Sequence, residues 1–517
     1  MNYRTVIYTI GQILKMVACL MALPLLTALI CGETSARSLM SFIVPMLVGL
    51  GAGFVLTRSR PEEMSFYAKE GFLIVGFSWI VISLLGALPF AIGTFGDERF
   101  ADLSFVDWLF ESVSGFTTTG SSILHSTLAG HQIDVMYASG YRGLLLWRSL
   151  THWIGGMGVL VFVLAVLPGA SGASGIFLMQ AESTGPTVGK LVSRMSSTAR
   201  LLYIIYTVMT IVEIALLSIA GLFDGGMNFF QAVVLSFGTA GTGGFAATSG
   251  SIGDFGIYVR VVVGIFMFLF GVNFNLYYLL FIGKAKDLLK NEELRVYVGC
   301  LAVGIIVMTI NLRVGLGEVA EYSNFWSALG AASFTAVSLM TSTGFATVDF
   351  SVWPVLSQGI LLLMMYIGAC AGSTGGGFKC SRFLILVKCA VVRCRKILNP
   401  RAVYSVKIDG KRLDDEVASG VTGYFTVYVL ILLISVLLVC IDVGALGDNP
   451  LVTSFSSVLT TLNNIGPGMT SIVGPNGSFF AFAPATKLLF CLLMLFGRLE
   501  IYPILMLFTP RTYTRTA

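Results

Sequence analysis

Four short segments that are rich in small and hydroxyl-bearing residues end in glycine. They read ESVSGFTTTG, LSFGTAGTGG, TAVSLMTSTG and SVLTTLNNIG, and they end at Gly120, Gly244, Gly344 and Gly466. Glycine tolerates positive φ, so a short extended strand that ends in glycine can point successive carbonyl groups in one direction. Four such strands around one axis would form rings of carbonyl oxygens that replace the hydration shell of a cation. The glycine-ended strands themselves, the last four residues of each segment, carry no carboxylate, which favours a monovalent cation over Ca²⁺.

Hydroxyl groups accompany these glycines in three of the four strands, at Thr118, Thr119, Thr242, Ser342 and Thr343. They either supply further oxygen ligands or satisfy buried backbone groups, and the sequence leaves both roles open. Clusters of Gly, Ser and Thr also occur where membrane helices pack closely. Four clusters at matching positions nevertheless favour a cation filter over packing alone.

Other kinds of site have little support in the sequence. The chain has three histidines without an HExxH pair, no GxxxxGK[ST] loop, and nine cysteines without CxxC spacing. The GASG segments within 169–175 offer a serine, but His152 lies near the opposite end of the same predicted span and is too distant to act as its base. We therefore expect no enzymatic activity and no cofactor bound by this chain.

The composition predicts an all-α polytopic membrane protein. Of the 517 residues, 56% are hydrophobic and 11% charged, and the mean hydropathy is +0.87, whereas soluble proteins carry about 25% charged residues. Most of the 32 Lys and Arg residues lie on the side of both termini, which the positive-inside rule makes cytoplasmic. The net charge of +5 then reflects topology and not nucleic-acid binding. Spans are predicted at 10–31, 39–57, 70–95, 144–167, 200–222, 257–283, 295–314, 355–372 with an uneven continuation to 392, 417–443 and 484–508.

Four apolar segments are too short to cross a membrane, and each precedes one glycine strand: 104–117, 228–240, 325–341 and 451–462. A helix of about 12 residues rises about 18 Å, roughly half of the hydrocarbon thickness, so each is predicted to be a half-helix that turns back. Span, half-helix, glycine strand and span then form four tandem repeats around a pseudo-fourfold pore. The predicted repeats are 61–170, 171–290, 291–400 and 401–517, and 1–60 forms two additional N-terminal helices.

A glycine-rich run interrupts the return span of the third repeat. It consists of Gly372, Ser373, Thr374, Gly375, Gly376 and Gly377. Such a run cannot continue a stable helix, and broken backbone inside a membrane must face a cavity or other protein. We predict a flexible gate loop below the filter. In the alternative, the span ends at Gly372, the run is a cytoplasmic loop, and Lys379 and Arg382 are interfacial anchors.

The last span contains two charged residues, Arg498 and Glu500. A charge inside a membrane normally faces the interior of the helix bundle and has a function. Arg498 is expected below the filter, either as an electrostatic barrier or as a group that holds the gate loop through its carbonyls. The alternative is a structural ion pair with Glu500 or Glu213.

The motifs FTTTG, TGGFA, STGFATVDF and NNIGPG, together with AGSTGGGFK and FGRLEIYP, resemble the Trk/Ktr/HKT superfamily of potassium transporters. The resemblance covers essentially the whole chain, including the two extra N-terminal helices of the TrkH/TrkG branch. It implies potassium uptake across the bacterial inner membrane through a single-chain pore that the third-repeat loop gates. It also implies a homodimer and a cytosolic TrkA-type regulatory ring that binds NAD(H) or ATP.

The resemblance also implies which residues contact the ion. Carried over by position, they are Thr118, Thr119, Gly120, Thr242, Gly243, Gly244, Ser342, Thr343, Gly344, Asn464, Ile465 and Gly466. Gly244 is preferred to Gly243 as the second filter glycine because it precedes Phe245 as Gly344 precedes Phe345. Family members with serine in place of a filter glycine tend to pass sodium, so four glycines support potassium.

Two questions stay open at this stage. The basic segments 190–200, 284–296 and 379–415 fit either docking of a regulatory ring or contact with lipid headgroups. A secondary transporter with broken helices is the competing functional class; it predicts two inverted repeats, whereas the sequence shows four parallel ones.

Overall fold

The computed structural model describes residues 3–61, 68–128, 130–158, 195–223, 226–281, 283, 285–319, 322–447 and 449–510. The α-helices of these residues are α1 Tyr3–Leu20, α2 Ala22–Ile30, α3 Ala36–Leu56, α4 Ala68–Gly93, α5 Phe105–Phe116, α6 Gln132–Ala138, α7 Arg142–Gly156, α8 Met195–Phe223, α9 Phe229–Ala240, α10 Ile257–Phe270, α11 Phe274–Phe281, α12 Ala285–Lys290, α13 Glu292–Gly315, α14 Phe325–Met340, α15 Val355–Ile367, α16 Cys380–Leu398, α17 Asp415–Val439, α18 Pro450–Leu462, α19 Pro484–Leu499 and α20 Ile501–Leu507. Two short antiparallel hairpins accompany them, β1 Ser126–Thr127 with β2 Gly130–His131 and β3 Lys407–Ile408 with β4 Lys411–Arg412.

Six helical segments of the described residues are long and apolar enough to cross a membrane, and α10 with α11 forms a bent seventh candidate. The six are Tyr3–Ile30, Ala36–Leu56, Glu70–Gly93, Ala199–Gly221, Glu292–Gly315 and Asp415–Val439. Residues 31–35, 94–104 and 121–128 lie on one side of the molecule, which we call upper. Residues 57–61 and 399–414 lie on the other side, which we call lower.

The half-helices are α5, α9, α14 and α18, and each differs from its predicted bounds by one residue or less at either end. Their starts are specified locally. The Asp107 carboxylate accepts a hydrogen bond from the Ser104 backbone N–H at 2.8 Å, and Asn228 Oδ1 accepts one from Gln231 N at 3.0 Å. α18 begins with Pro450, a residue favoured in the first helical turn.

The N-terminal helices α1–α3 pack against the first repeat. Glu33, in the turn between α2 and α3, accepts hydrogen bonds from the backbone N–H groups of Arg142 at 2.6 Å and Gly143 at 3.2 Å. This carboxylate therefore caps α7, where the positive end of the helix favours an anion. Burial raises the pKa of Glu33, while the two N–H donors act in the opposite direction.

Three predicted spans are interrupted in the structure. The last, predicted at 484–508, is interrupted at Glu500, where φ is 65°, between α19 and α20. The predicted span 257–283 is not continuous, because α10 and α11 meet at an angle of 93° around residues 271–273. In the third repeat, α15 ends at Ile367 and Gly368 adopts φ 73°, so the non-helical segment begins before the predicted gate run. The predicted continuation of the span 144–167 beyond residue 158 lies outside the described residues.

Candidate cation pathway

The four glycine strands, residues 117–120, 241–244, 341–344 and 463–466, share one backbone conformation. In each strand the second residue has positive φ, with values of 54° for Thr118, 51° for Thr242, 59° for Ser342 and 52° for Asn464. The closing glycines Gly120, Gly244, Gly344 and Gly466 have φ of 79°, 78°, 81° and 102°. Positive φ is uncommon outside glycine, so its fourfold recurrence makes the strands structurally equivalent. It also places Gly244, and not Gly243, in register with the other closing glycines.

Each half-helix passes into its strand through the same hydrogen bond. The backbone N–H of the third strand residue donates to the carbonyl five residues earlier: Thr119 to Ser114 at 2.9 Å, Gly243 to Gly238 at 2.9 Å, Thr343 to Ser338 at 2.8 Å and Ile465 to Thr460 at 3.0 Å. This bond, with a left-handed residue just after the helix, defines a Schellman motif. The motif reverses the chain and lets each strand rise from the negative end of its half-helix.

The closing glycines bring the strands together in a ring. A Cβ atom added to each glycine would lie within 3.0 Å of a carbonyl oxygen of the next strand: Gly120 meets Gly243, Gly244 meets Thr343, Gly344 meets Ile465, and Gly466 meets Thr119. The order of contacts runs through all four repeats and returns to the first. Glycine is therefore required both by positive φ and by the close approach of a neighbouring carbonyl.

Most of the strand hydroxyl groups bond to the surrounding protein. Thr119 Oγ1 lies 2.8 Å from Thr117 Oγ1 and accepts a hydrogen bond from Asn464 Nδ2 at 2.9 Å. Thr343 Oγ1 lies 2.8 Å from Thr341 Oγ1 in the same arrangement. Thr118 Oγ1, in contrast, makes no hydrogen bond with a described residue. The two hydroxyls of Thr119 and Thr343 thus support the strands from within the protein, which leaves backbone carbonyls as the principal oxygen donors of the ring.

A cavity of about 300 Å³ opens above the ring and is lined by all four closing glycines, with Arg148 and His131 in its wall. Arg148 is buried; its Nε donates to Glu111 Oε1 at 2.5 Å, and its guanidinium lies 3.4 Å from the centroid of the Phe245 ring. Burial lowers the pKa of the His131 imidazole, which favours the neutral form of this ring. The carboxylate of Glu111 compensates the one guanidinium in this wall, and the cavity does not repel cations through an unbalanced charge.

The segment 368–379, which we call the third-repeat loop, lies directly beneath the ring. Its Gly376 N–H donates to Ser342 Oγ at 2.6 Å, so the loop contacts the third strand itself. The α10–α11 bend holds its other side, with Cys370 N donating to Gly271 O at 3.1 Å and Phe274 N donating to Gly372 O at 3.0 Å. Thr374 and Lys379 are fully buried. The loop is therefore packed inside the protein and not solvated.

Three cationic side chains bond to backbone carbonyls of the loop, and one of them is Arg382, whose Nη1 donates to Phe378 O at 3.5 Å. Arg498 donates to Thr374 O at 2.8 Å and also to the carbonyls of Gly155 and Gly156 at the end of α7. Lys379 Nζ donates to Gly375 O. Glu500 pairs with Arg382, whose guanidinium also lies 4.0 Å from the Tyr424 ring centroid. The structure thus supports the predicted contact of Arg498 with the loop and gives Glu500 a different partner.

Sequence reasoning missed two charged residues near this pathway. Glu293 Oε1 accepts a hydrogen bond from Ala371 N at 2.6 Å, so a carboxylate from the first turn of α13 holds the third-repeat loop. Lys487, near the start of α19, forms a buried ion pair with Asp107 of α5. Both residues lie in or beside predicted spans. Arg498 was identified because a charge in an apolar span normally has a function. The same rule would have identified Glu293 and Lys487.

Half-helices that converge on a closed ring of carbonyl groups, within a bundle of apolar spans, define a class of membrane proteins that move ions. Comparison with known proteins gives the family. A family model described as TrkH, cation transport protein, matches residues 39–513. The chain is 34% identical over 514 residues to the Trk system potassium uptake protein TrkH of Escherichia coli (strain K12), with 99% of both chains covered.

Two further relatives agree with this result. The chain is 34% identical over 512 residues to the Trk system potassium uptake protein TrkG of Escherichia coli (strain K12), with 98% of both chains covered. The crystal structure of the potassium transporter TrkH from Vibrio parahaemolyticus is similar with a TM-score of 0.83 at 29% identity, covering 99% of this chain and 100% of that one. The chain therefore belongs to the TrkH family and is a multi-pass membrane transport protein, not an enzyme. The predicted family and fold class are confirmed.

Proposed function

We propose that this protein takes up K⁺ across the bacterial inner membrane through the ring of glycine strands, which acts as its selectivity filter. The observation that carries the proposal is the closed cycle of contacts in which each closing glycine meets a carbonyl of the next strand. Neutral carbonyl oxygens can replace the hydration shell of a monovalent cation without binding it too tightly to be released. The relatives named Trk system potassium uptake proteins support K⁺ as the ion.

The proposed ion ligands are the carbonyl groups of the glycine strands. They belong to Thr118, Thr119, Gly120, Thr242, Gly243, Gly244, Ser342, Thr343, Gly344, Asn464, Ile465 and Gly466. A side chain on any closing glycine would displace the carbonyl of its neighbour, because the two already lie within contact distance. Glycine in all four positions therefore supports a ring that holds one size of ion.

The third-repeat loop is the proposed gate. Residues 372–377 lie beneath the third strand, and hydrogen bonds from Lys379 and Arg498 to loop carbonyls hold them there. The path below the ring opens when these bonds break and the glycine-rich backbone moves aside. Glycines at 372 and 377, with φ of 68° and 78°, give this backbone conformations that other residues rarely adopt.

We infer that both termini are cytoplasmic, so that the lower side faces the cytosol. Exposed basic residues on α16 and the β3–β4 hairpin, namely Arg393, Arg395, Lys396, Lys407, Lys411 and Arg412, lie on this side. They offer a docking surface for a cytosolic TrkA-type ring that binds NAD(H) or ATP, or a contact with anionic lipid headgroups. The words "Trk system" in the names of the relatives support a protein with partner subunits, and we propose that it acts as a homodimer.

The experiment that tests the function is cation flux into liposomes that contain the purified protein, with K⁺, Rb⁺ and Na⁺ compared. Wild type should pass K⁺ and Rb⁺ in preference to Na⁺. Gly344→Ser should reduce this preference by about tenfold or more, because its Cβ would displace the carbonyl of Ile465 and serine disfavours φ of 81°. Gly330→Ser is the matched control, since this glycine of α14 has nothing within 4 Å of an added Cβ.

Three outcomes would count against the proposal. If wild type and Gly344→Ser were equally selective, the ring would not be the selectivity filter. A loss of selectivity in Gly330→Ser would show that the effect is not specific to the ring. An absence of cation flux, even with loop 372–377 shortened, would reject the pore and favour a secondary transporter, a class in which broken helices such as α10–α11 are common.

A further inference from the structure

The imidazole of His152 lies directly behind the second glycine strand. His152 belongs to α7 of the first repeat and is completely buried. The three atoms nearest to a Cβ added at Gly243 would be Nδ1, Cε1 and Cγ of this imidazole, each within 3.0 Å. A Cβ added to Gly241 would likewise meet the carbonyl oxygen and Cβ of His152. The ring also packs against Phe245, with 4.1 Å between the centroids.

Gly243 is a glycine for a different reason than the closing glycines are. Its φ is not positive, so the backbone at this position accepts alanine. The equivalent residues of the other strands are Thr119, Thr343 and Ile465, all buried. The second strand therefore lacks a side chain where the other three have one, and a ring from another repeat fills that volume.

The carbonyl of Gly243 is the one that Gly120 contacts in the cycle of glycines. A group that presses on Gly243 from behind therefore determines how closely the second strand approaches the first. Neither nitrogen of His152 makes a hydrogen bond of normal geometry with a described residue. A buried polar group that lacks a well-formed hydrogen bond is destabilising, which calls for a compensating role at this position.

We propose that His152 is a positioning residue for ion selectivity: its imidazole replaces the side chain missing at Gly243 and holds the Gly243 carbonyl at its place in the ring. The proposal deepens the proposed function and rests on it, since it assumes that the ring binds the ion. Its physical content is steric. The shape of the imidazole matters, and its capacity for hydrogen bonding does not.

The steric relation predicts that two damaging substitutions compensate each other. Gly243→Ala should lose most K⁺ flux in liposomes, because the new methyl group overlaps the imidazole. His152→Ala should keep K⁺ flux but lose about tenfold in preference for K⁺ over Na⁺, because the second strand is no longer supported. The double variant Gly243→Ala/His152→Ala should recover flux and selectivity, since the methyl group then occupies the vacated volume.

Two controls separate this relation from a general effect on folding. Gly120→Ala/His152→Ala should show no recovery, because Gly120 meets the Gly243 carbonyl and has φ of 79°. His152→Leu should retain most of the selectivity, because leucine is close to histidine in volume and carries no polar side-chain atoms. A second readout is the melting temperature of the purified variants in K⁺ and in Na⁺, since a bound ion stabilises the folded state. His152→Ala should lose the difference between the two salts, and the double variant should regain it.

The outcomes distinguish this proposal from the one on which it rests. A wild-type protein without preference among cations would refute the proposed function. A selective wild type, together with a His152→Ala variant that is equally selective and equally stabilised by K⁺, would refute only the role of His152. A double variant no better than Gly243→Ala in either flux or melting temperature would also overturn it.

Discussion

At the scale of single residues, Arg498 joins two parts of the chain that are remote from it in sequence. Its guanidinium donates to Thr374 in the third-repeat loop and to Gly155 and Gly156 at the end of α7. The guanidinium group is planar and holds its N–H donors in a fixed geometry, so this one side chain can donate to several carbonyls at once. The residue therefore connects the first, third and fourth repeats beneath the ring.

Replacing Arg498 by Gln should release the third-repeat loop. Hydrogen bonds to a charged group contribute about 1.5–3 kcal/mol each, so the loss of one shifts the equilibrium of the loop towards the open state by about tenfold or more. We expect K⁺ flux of the purified protein in liposomes to rise by that factor. Arg260→Gln serves as the comparison, since this arginine donates to the carbonyls of Gly253 and Phe255, which are not part of the loop. Unchanged flux in a well-folded Arg498→Gln protein would show that the arginine does not hold the gate.

At the scale of elements, the third-repeat loop is attached on three sides. The third strand holds it through Ser342, the α10–α11 bend through Gly271 and Phe274, and α13 through Glu293. A segment with this many backbone partners is ordered in spite of its glycines, because the hydrogen bonds are satisfied by its surroundings. Movement of the loop therefore requires several bonds to break together.

Removal of the Glu293 carboxylate should loosen the loop from the side of α13. Glu293→Ala leaves the Ala371 N–H without its acceptor, at a cost of about 1–3 kcal/mol. We expect faster hydrogen–deuterium exchange in peptides that cover 368–379, measured by mass spectrometry. Glu292→Ala is a matched control, because the neighbouring carboxylate pairs with the partly exposed Lys388 instead. Exchange that rises equally in both variants would argue against a specific link between Glu293 and the loop.

Features of the fold that depend on local sequence could be predicted, whereas features that depend on tertiary contacts could not. The half-helices and the register of the glycine strands were predictable, because apolar length and glycine position are local signals. The bend at 271–273 and the early end of α15 were not, since they depend on contacts such as that between Phe274 N and Gly372 O. The role of the hydroxyls was likewise undecided until Thr117 and Asn464 were found beside Thr119. Partners remote in sequence carry no periodic signal.

At the scale of the whole molecule, the proposed orientation can be tested with a native cysteine. Cys394 is exposed on α16, on the lower side. A membrane-impermeant maleimide should label it in inside-out vesicles and not in intact right-side-out cells, with Cys394→Ser to identify the signal. Leu128→Cys, at an exposed position of the upper β1–β2 turn, should show the opposite pattern. Labelling of Cys394 from outside the cell would invert the topology.

The cycle of glycine contacts also constrains how the protein is made. The ring closes only where Gly466 meets Thr119 and Asn464 bonds to Thr119, two partners separated by 345 positions in the chain. Synthesis proceeds from the N-terminus, so the first three repeats enter the membrane before their last neighbour exists. During that interval the Gly466 side of the first strand has no partner. Completion of the fourth repeat is therefore the event that closes the ring, and a ribosome that stalls before residue 464 leaves it unfinished.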